Sequence, residues 1–134
     1  MTIRFSLLAV LAAGALLASA PAGAHHSIQL QYDISKTGTI TGAINRMEWK
    51  NPHAWLYVDV KNAAGRIESW AIEFGSSNAL IRRGWRREDL PVGAQITITG
   101  YVPRDGSKSL GATDVKLADG RTLFAGNAPT EGGR

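Results

Sequence analysis

The eight residues from His53 to Val60 alternate without a break. Ala54, Leu56, Val58 and Val60 fall on one side, and His53, Trp55, Tyr57 and Asp59 on the other. A period of two marks a strand with one face in a core. The aliphatic side therefore packs inward, and an imidazole, an indole and a phenol share the opposite face. Just before this run, Asn51-Pro52 stops any preceding strand, because proline lacks an amide hydrogen and drives the residue before it toward extended or turn geometry. The fold must let one strand end near Trp49, turn at Asn51-Pro52, and restart at His53.

The remaining segments read as further strands. Thr37 to Trp49 is rich in Thr and Ile, with Ile40 and Ile44 on one face and Met47 and Trp49 on the other. A strict period of two then requires a bulge or bend between them, and Gly42 suits such a site. After a turn at Asn62–Gly65, Ile67 to Phe74 directs Trp70, Ile72 and Phe74 inward and Glu73 toward solvent. Ser76 or Ser77 caps a short helix through Arg83, which Gly84 ends. Gln95 to Val102 places Ile96, Ile98 and Val102 on one face and Thr97, Thr99 and Tyr101 on the other, and Thr113–Leu117 with Arg121–Phe124 forms a last strand or hairpin.

This order predicts an all-β fold, a small OB-like barrel of five to six strands with one short helix between the third and fourth strands. A six-stranded sandwich or another small barrel fits the same pattern. In an OB fold the second and third strands and the loop joining the first two usually hold the ligand.

The first 24 residues carry one charge, Arg4, followed by a long apolar run and Ala22-Gly23-Ala24. That is the layout of a signal peptide cut after Ala24. The expected organisation is a leader at 1–24, one domain at 25–124 and a disordered tail at 125–134, in a periplasmic or secreted protein with no membrane contact after cleavage. Residues from His25 to Thr37 read as an ordered arm rather than a core strand. The chain has no cysteine, so thiol chemistry is excluded, and its net charge of +4 is too mild to indicate nucleic acid. There is no Gly-x-Ser-x-Gly elbow and no carboxylate placed by sequence beside a histidine, so catalysis has little support.

Several segments together resemble a family of small exported bacterial proteins known only as a domain of unknown function. They are Ala24-His25-His26-Ser27, Gly38–Gly42, Trp49-Lys50-Asn51-Pro52-His53-Ala54, Leu80–Trp85, Leu90–Gly93 and Arg104–Ser107. Ile28 departs from the Phe expected there. The resemblance implies a single exported domain and supplies no activity.

Three histidines carry the chemistry on offer. Cleavage after Ala24 gives His25 a free α-amine, which with its own imidazole and His53 makes an all-nitrogen set suited to copper, while His26 offers a second route through its imidazole and a backbone nitrogen. The metal reading therefore names His25, His26 and His53. The alternative is a metal-free module that binds a partner protein or small ligand at Trp49, Asn51, Trp55 and Tyr57. Arg82, Arg83, Arg86 and Arg87 read as a solvated face, partly neutralised by Glu88 and Asp89.

Overall fold

The computed structural model describes residues 28–127. The leader, His25, His26 and the segment 128–134 lie outside them. A short helix α1 (Ile28–Gln31) leads into β1 (Tyr32–Glu48), β2 (Trp55–Lys61), β3 (Ile67–Glu73), helix α2 (Ser77–Arg82), a 3-10 turn (Arg87–Asp89), β4 (Gln95–Pro103), β5 (Ser109–Lys116) and β6 (Thr122–Phe124). The six strands follow the order β3-β2-β1-β4-β5-β6, and a parallel pairing of β3 with β5 closes the first five into a ring. The other pairings are antiparallel. No described helix is long and apolar enough to cross a membrane.

Alternation explains the core directly. Ala54, Leu56, Val58, Ile72, Phe74, Leu80, Ile98, Ala112 and Val115 are fully buried. The β2–β3 turn is built by Asn62, whose side-chain oxygen accepts the amides of Ala64 and Arg66, while Gly65 supplies the positive φ of 79°. Ser76 caps α2 by accepting the amide of Ala79. Trp85, just past that helix, is pinned inside: its indole nitrogen donates to the Phe124 carbonyl at 2.9 Å, and its ring meets Phe74 edge-on at 5.5 Å.

Five expectations are corrected. The described part of the arm before Thr37 is a helical turn, Ile28–Gln31, followed by strand, because β1 begins at Tyr32, and that tyrosine is buried. The change of face in β1 is real, but the register slips between Ile44 and Arg46, one step past Ala43, and not at Gly42. Gly42 serves close approach instead, since a Cβ there would lie 2.5 Å from the Asp59 carbonyl oxygen. Burial at the end of β4 departs from its faces: Val102 stays on the side of Leu110 yet is only half-buried, while Tyr101 is buried outside the main core cluster. Trp70 lies at the edge of the core, half-buried rather than deep, and its buried indole nitrogen has no partner among the described residues. Finally, the start of the supposed tail is packed: Ala125 is fully buried, and the Asn127 side chain donates to the Glu73 carbonyl at 2.6 Å. The sixth departure, the burial of Glu73, belongs to the site.

Candidate functional site

The Asn51-Pro52 turn is held from below by α2. Both the amide and the hydroxyl of Ser77 donate to the Lys50 carbonyl, at 3.0 and 2.8 Å, and the Asn51 side-chain oxygen accepts the Asn78 amide at 3.2 Å. The β2–β3 ladder continues past the strand ends, with Phe74 donating to Ala54 and Ala54 to Gly75. This fixes His53 beside the end of β3. There its Nδ1 lies 3.1 Å from Oε1 of Glu73 and 3.3 Å from the Phe74 carbonyl oxygen.

Glu73, expected in solvent, is only 6% exposed. Its second oxygen, Oε2, accepts the Tyr32 hydroxyl at 2.8 Å, and the Tyr32 oxygen lies 3.3 Å from Oγ of Ser109. With the phenolic proton committed to Glu73, the Ser109 hydroxyl is the donor in that contact. Burial pushes the Tyr32 phenol far above its ordinary value; the Ser109 hydrogen bond opposes this and the Glu73 charge reinforces it. Tyr32 thus stays a protonated donor, as a buried carboxylate requires.

Glycine makes room for that arrangement. Gly111 pairs with Glu73 across the parallel β3–β5 contact, and a Cβ on it would meet the Tyr32 ring at 3.2 Å and Ile28 at 3.1 Å. The bare backbone lets the phenol lie over β5 and reach the carboxylate.

His53 opens on a depression of about 340 Å³ shared with Gln31, Lys50, Asn51, Trp55 and Glu73. Its side chain is 40% exposed. Lys50 at the rim is tied to Glu48 at 2.8 Å. A second depression of about 330 Å³ lies across Gln31 and Trp55 and includes Tyr32, Arg104 and Ser109. The structure therefore brings together His53, Asn51 and Trp55 and leaves Trp49 and Tyr57 outside. Trp49 packs against the core, with the Arg87 guanidinium over its ring, and Tyr57 carries the Arg46 guanidinium on its ring at 3.7 Å. Among the described residues no group of three or more His, Cys, Asp or Glu could hold a metal ion; His25 and His26 fall outside these residues.

Glu73, Tyr32, Gln31 and Ser109 are the site residues that sequence reasoning missed. For Glu73 a signal existed. Counting outward from the Asn62 turn pairs Lys61 with Ile67 and, six steps on, Trp55 with Glu73. That register sets a carboxylate two residues from His53. Tyr32 and Ser109 had no such local sign.

The four arginines of the cluster are exposed, as expected, and two of them also lie over aromatic rings. Asp89 is taken by Arg121 at 2.6 Å, and its carboxyl, raised by burial, is brought below its ordinary value by the Arg121 side chain and the Arg86 amide. Arg83 lies over Phe124 at 4.8 Å and Arg87 over Trp49 at 5.2 Å. Exposed cation–π contacts contribute about 0.5–1 kcal/mol each. Changing Arg83 and Arg87 together to Gln is therefore expected to cost about 1–2 kcal/mol in urea unfolding. The Arg82 and Arg86 pair should stay within about 0.5 kcal/mol. Equal, negligible losses for both pairs would mean that the ring contacts add nothing to this solvated face.

What the geometry defines is a small β-domain with a carboxylate-backed histidine at the mouth of a shallow depression. The chain belongs to a family of unknown function, DUF6152, whose profile matches residues 13–112 and so spans Tyr32, His53, Glu73 and Ser109. Comparison with curated proteins and with solved structures finds no match.

Proposed function

We propose that this is an exported, periplasmic protein that binds copper through His53 and a processed N-terminal His25, on a strand ring of OB-like barrel type. The role is storage, delivery or sensing rather than catalysis. The observation that carries the reading is the orientation of His53. Two acceptors, the Glu73 carboxylate and the Phe74 carbonyl, face Nδ1 at 3.1 and 3.3 Å, so the proton sits there and the lone pair sits on Nε2. Metal-ligating histidines are commonly held in this way, with the other ring nitrogen donating to a carboxylate.

The chain start supports the same site. Gln31 lines the depression with His53, and the three residues from His25 to Ile28 can span up to about 10 Å. Cleavage after Ala24 would add the α-amine and imidazole of His25, and His26 a further imidazole. Such a nitrogen set favours Cu(II) among the common divalent ions.

Titration of the processed protein with Cu(II) tests this. One equivalent is expected to bind, with affinity falling at least about tenfold in His53→Ala, since a ligand is lost outright. Unchanged affinity in that variant would exclude His53 as a ligand. The competing reading, a metal-free module for a partner or small ligand at Trp55 and Tyr57, draws on the half-buried Trp55 indole that borders both depressions. Arg46 on the Tyr57 ring reduces the aromatic surface that this reading needs.

A further inference from the structure

We propose that Tyr32 is a positioning residue for His53: seated on Gly111, its hydroxyl fixes the Glu73 carboxylate so that the other oxygen locks the imidazole with Nδ1 protonated and Nε2 turned outward. The inference deepens the metal reading of His53 and rests on it for the role of Nε2, but the relay itself stands on geometry.

Each link has a definite partner. The carboxylate has two oxygens and two side-chain donors, His53 on Oε1 at 3.1 Å and Tyr32 on Oε2 at 2.8 Å. Little of either group meets solvent, since Glu73 is 6% exposed and Tyr32 3% exposed. The Tyr32 proton points to Glu73, its shorter and charged partner at 2.8 Å, and Ser109 lies at 3.3 Å as the phenol's second contact. The Phe74 carbonyl alone is a longer and uncharged partner for Nδ1, at 3.3 Å. Without the Tyr32 hydroxyl, Oε2 becomes a buried acceptor with no donor. The carboxylate then turns or hydrates, and in either case its hold on Nδ1 weakens. A residue that acted only as core filling would do none of this, because phenylalanine fills the same space on Gly111.

The test compares the natural protein, processed to begin at His25, with Tyr32→Phe and Glu73→Gln. The readouts are the ¹⁵N signature of the neutral His53 ring in metal-free protein, and Cu(II) affinity. The natural protein should show Nδ1–H as the dominant tautomer. Tyr32→Phe should show a mixture, together with an affinity for Cu(II) lower by about tenfold, the usual scale for loss of an outer hydrogen-bond partner. Glu73→Gln, nearly isosteric, gives a second measure should Tyr32→Phe fold poorly, because an amide can turn an N–H toward Nδ1 and so also erodes the Nδ1–H form. A natural tautomer pattern retained in either folded variant overturns the positioning role. A tautomer shift in Tyr32→Phe, with no copper bound even by the natural protein, upholds the positioning and overturns the metal reading instead.

Discussion

Trp85→Ala is expected to remove about 3–5 kcal/mol of stability, the range for truncating a large buried aromatic. Trp85 is 2% exposed and ties the segment after α2 to the rest of the molecule by two contacts, the edge-on packing against Phe74 and the hydrogen bond to the Phe124 carbonyl. Truncation leaves a cavity against Phe74 and an unpaired carbonyl at β6. A domain of this size has about 5–15 kcal/mol in all, so the loss is a large fraction of the total. Trp85→Phe separates the two contributions: it keeps most of the packing and should lose about 1–3 kcal/mol through the missing donor. Denaturant unfolding of both variants checks this, and a loss below about 1 kcal/mol for Trp85→Ala would mean that the segment is not anchored there.

Gly100→Ala is the second large effect expected, at about 3 kcal/mol or more. A Cβ at Gly100 would lie 2.5 Å from the Gly111 carbonyl oxygen, 2.8 Å from its carbon and 2.9 Å from the Ala112 Cα. All three are backbone atoms of the paired strand β5, so no side chain can swing aside. Relief requires β4 and β5 to part at the register slip between Thr99 and Gly100, within the ring that holds the core. Gly38→Ala is the control on neighbouring β1. Its Cβ would meet only the Val102 and Leu110 side chains, at 3.4 and 3.5 Å, in ordinary contact. That change should stay within about 1 kcal/mol, and equal losses at the two glycines would contradict the close approach at Gly100.

These contacts show where sequence patterns carry information. The β2–β3 hairpin was readable because alternation and the Asn62 turn are local, and Leu56, Val58, Ile72 and Phe74 are indeed fully buried. The change of face in β1 was readable as a necessity but not as a position. Gly42 looked like the bulge, yet its missing side chain makes room for Asp59 and Val58. The burial of Tyr101, on the face it shares with Thr97 and Thr99, is likewise recorded by no pattern within β4.

The site was legible in part. His53, Asn51 and Trp55 stood out by type and spacing and do share one depression. Glu73 did not, because a charged residue between Ile72 and Phe74 reads as the solvent face of a strand. It is buried by Tyr32, which approaches from the start of β1 across a glycine on β5. Such a contact is decided by topology, and the tyrosine itself sat in a stretch too irregular to suggest a strand. Asn127 likewise reached the end of β3 from a polar, glycine-rich segment whose composition gave no reason to expect burial.

The copper reading turns most directly on the amine that processing would create at His25. Three forms of the protein are to be compared for Cu(II) affinity: one beginning at His25, the same protein with one added N-terminal residue, and His53→Ala beginning at His25. The added residue converts the amine into an amide that no longer offers a lone pair to the metal, while the fold and the His53–Glu73–Tyr32 relay are untouched. The account predicts tight binding of one ion by the first form, and binding weaker by at least about tenfold in each of the other two. Equal affinity in all three forms would contradict it and leave the domain as a metal-free binding module.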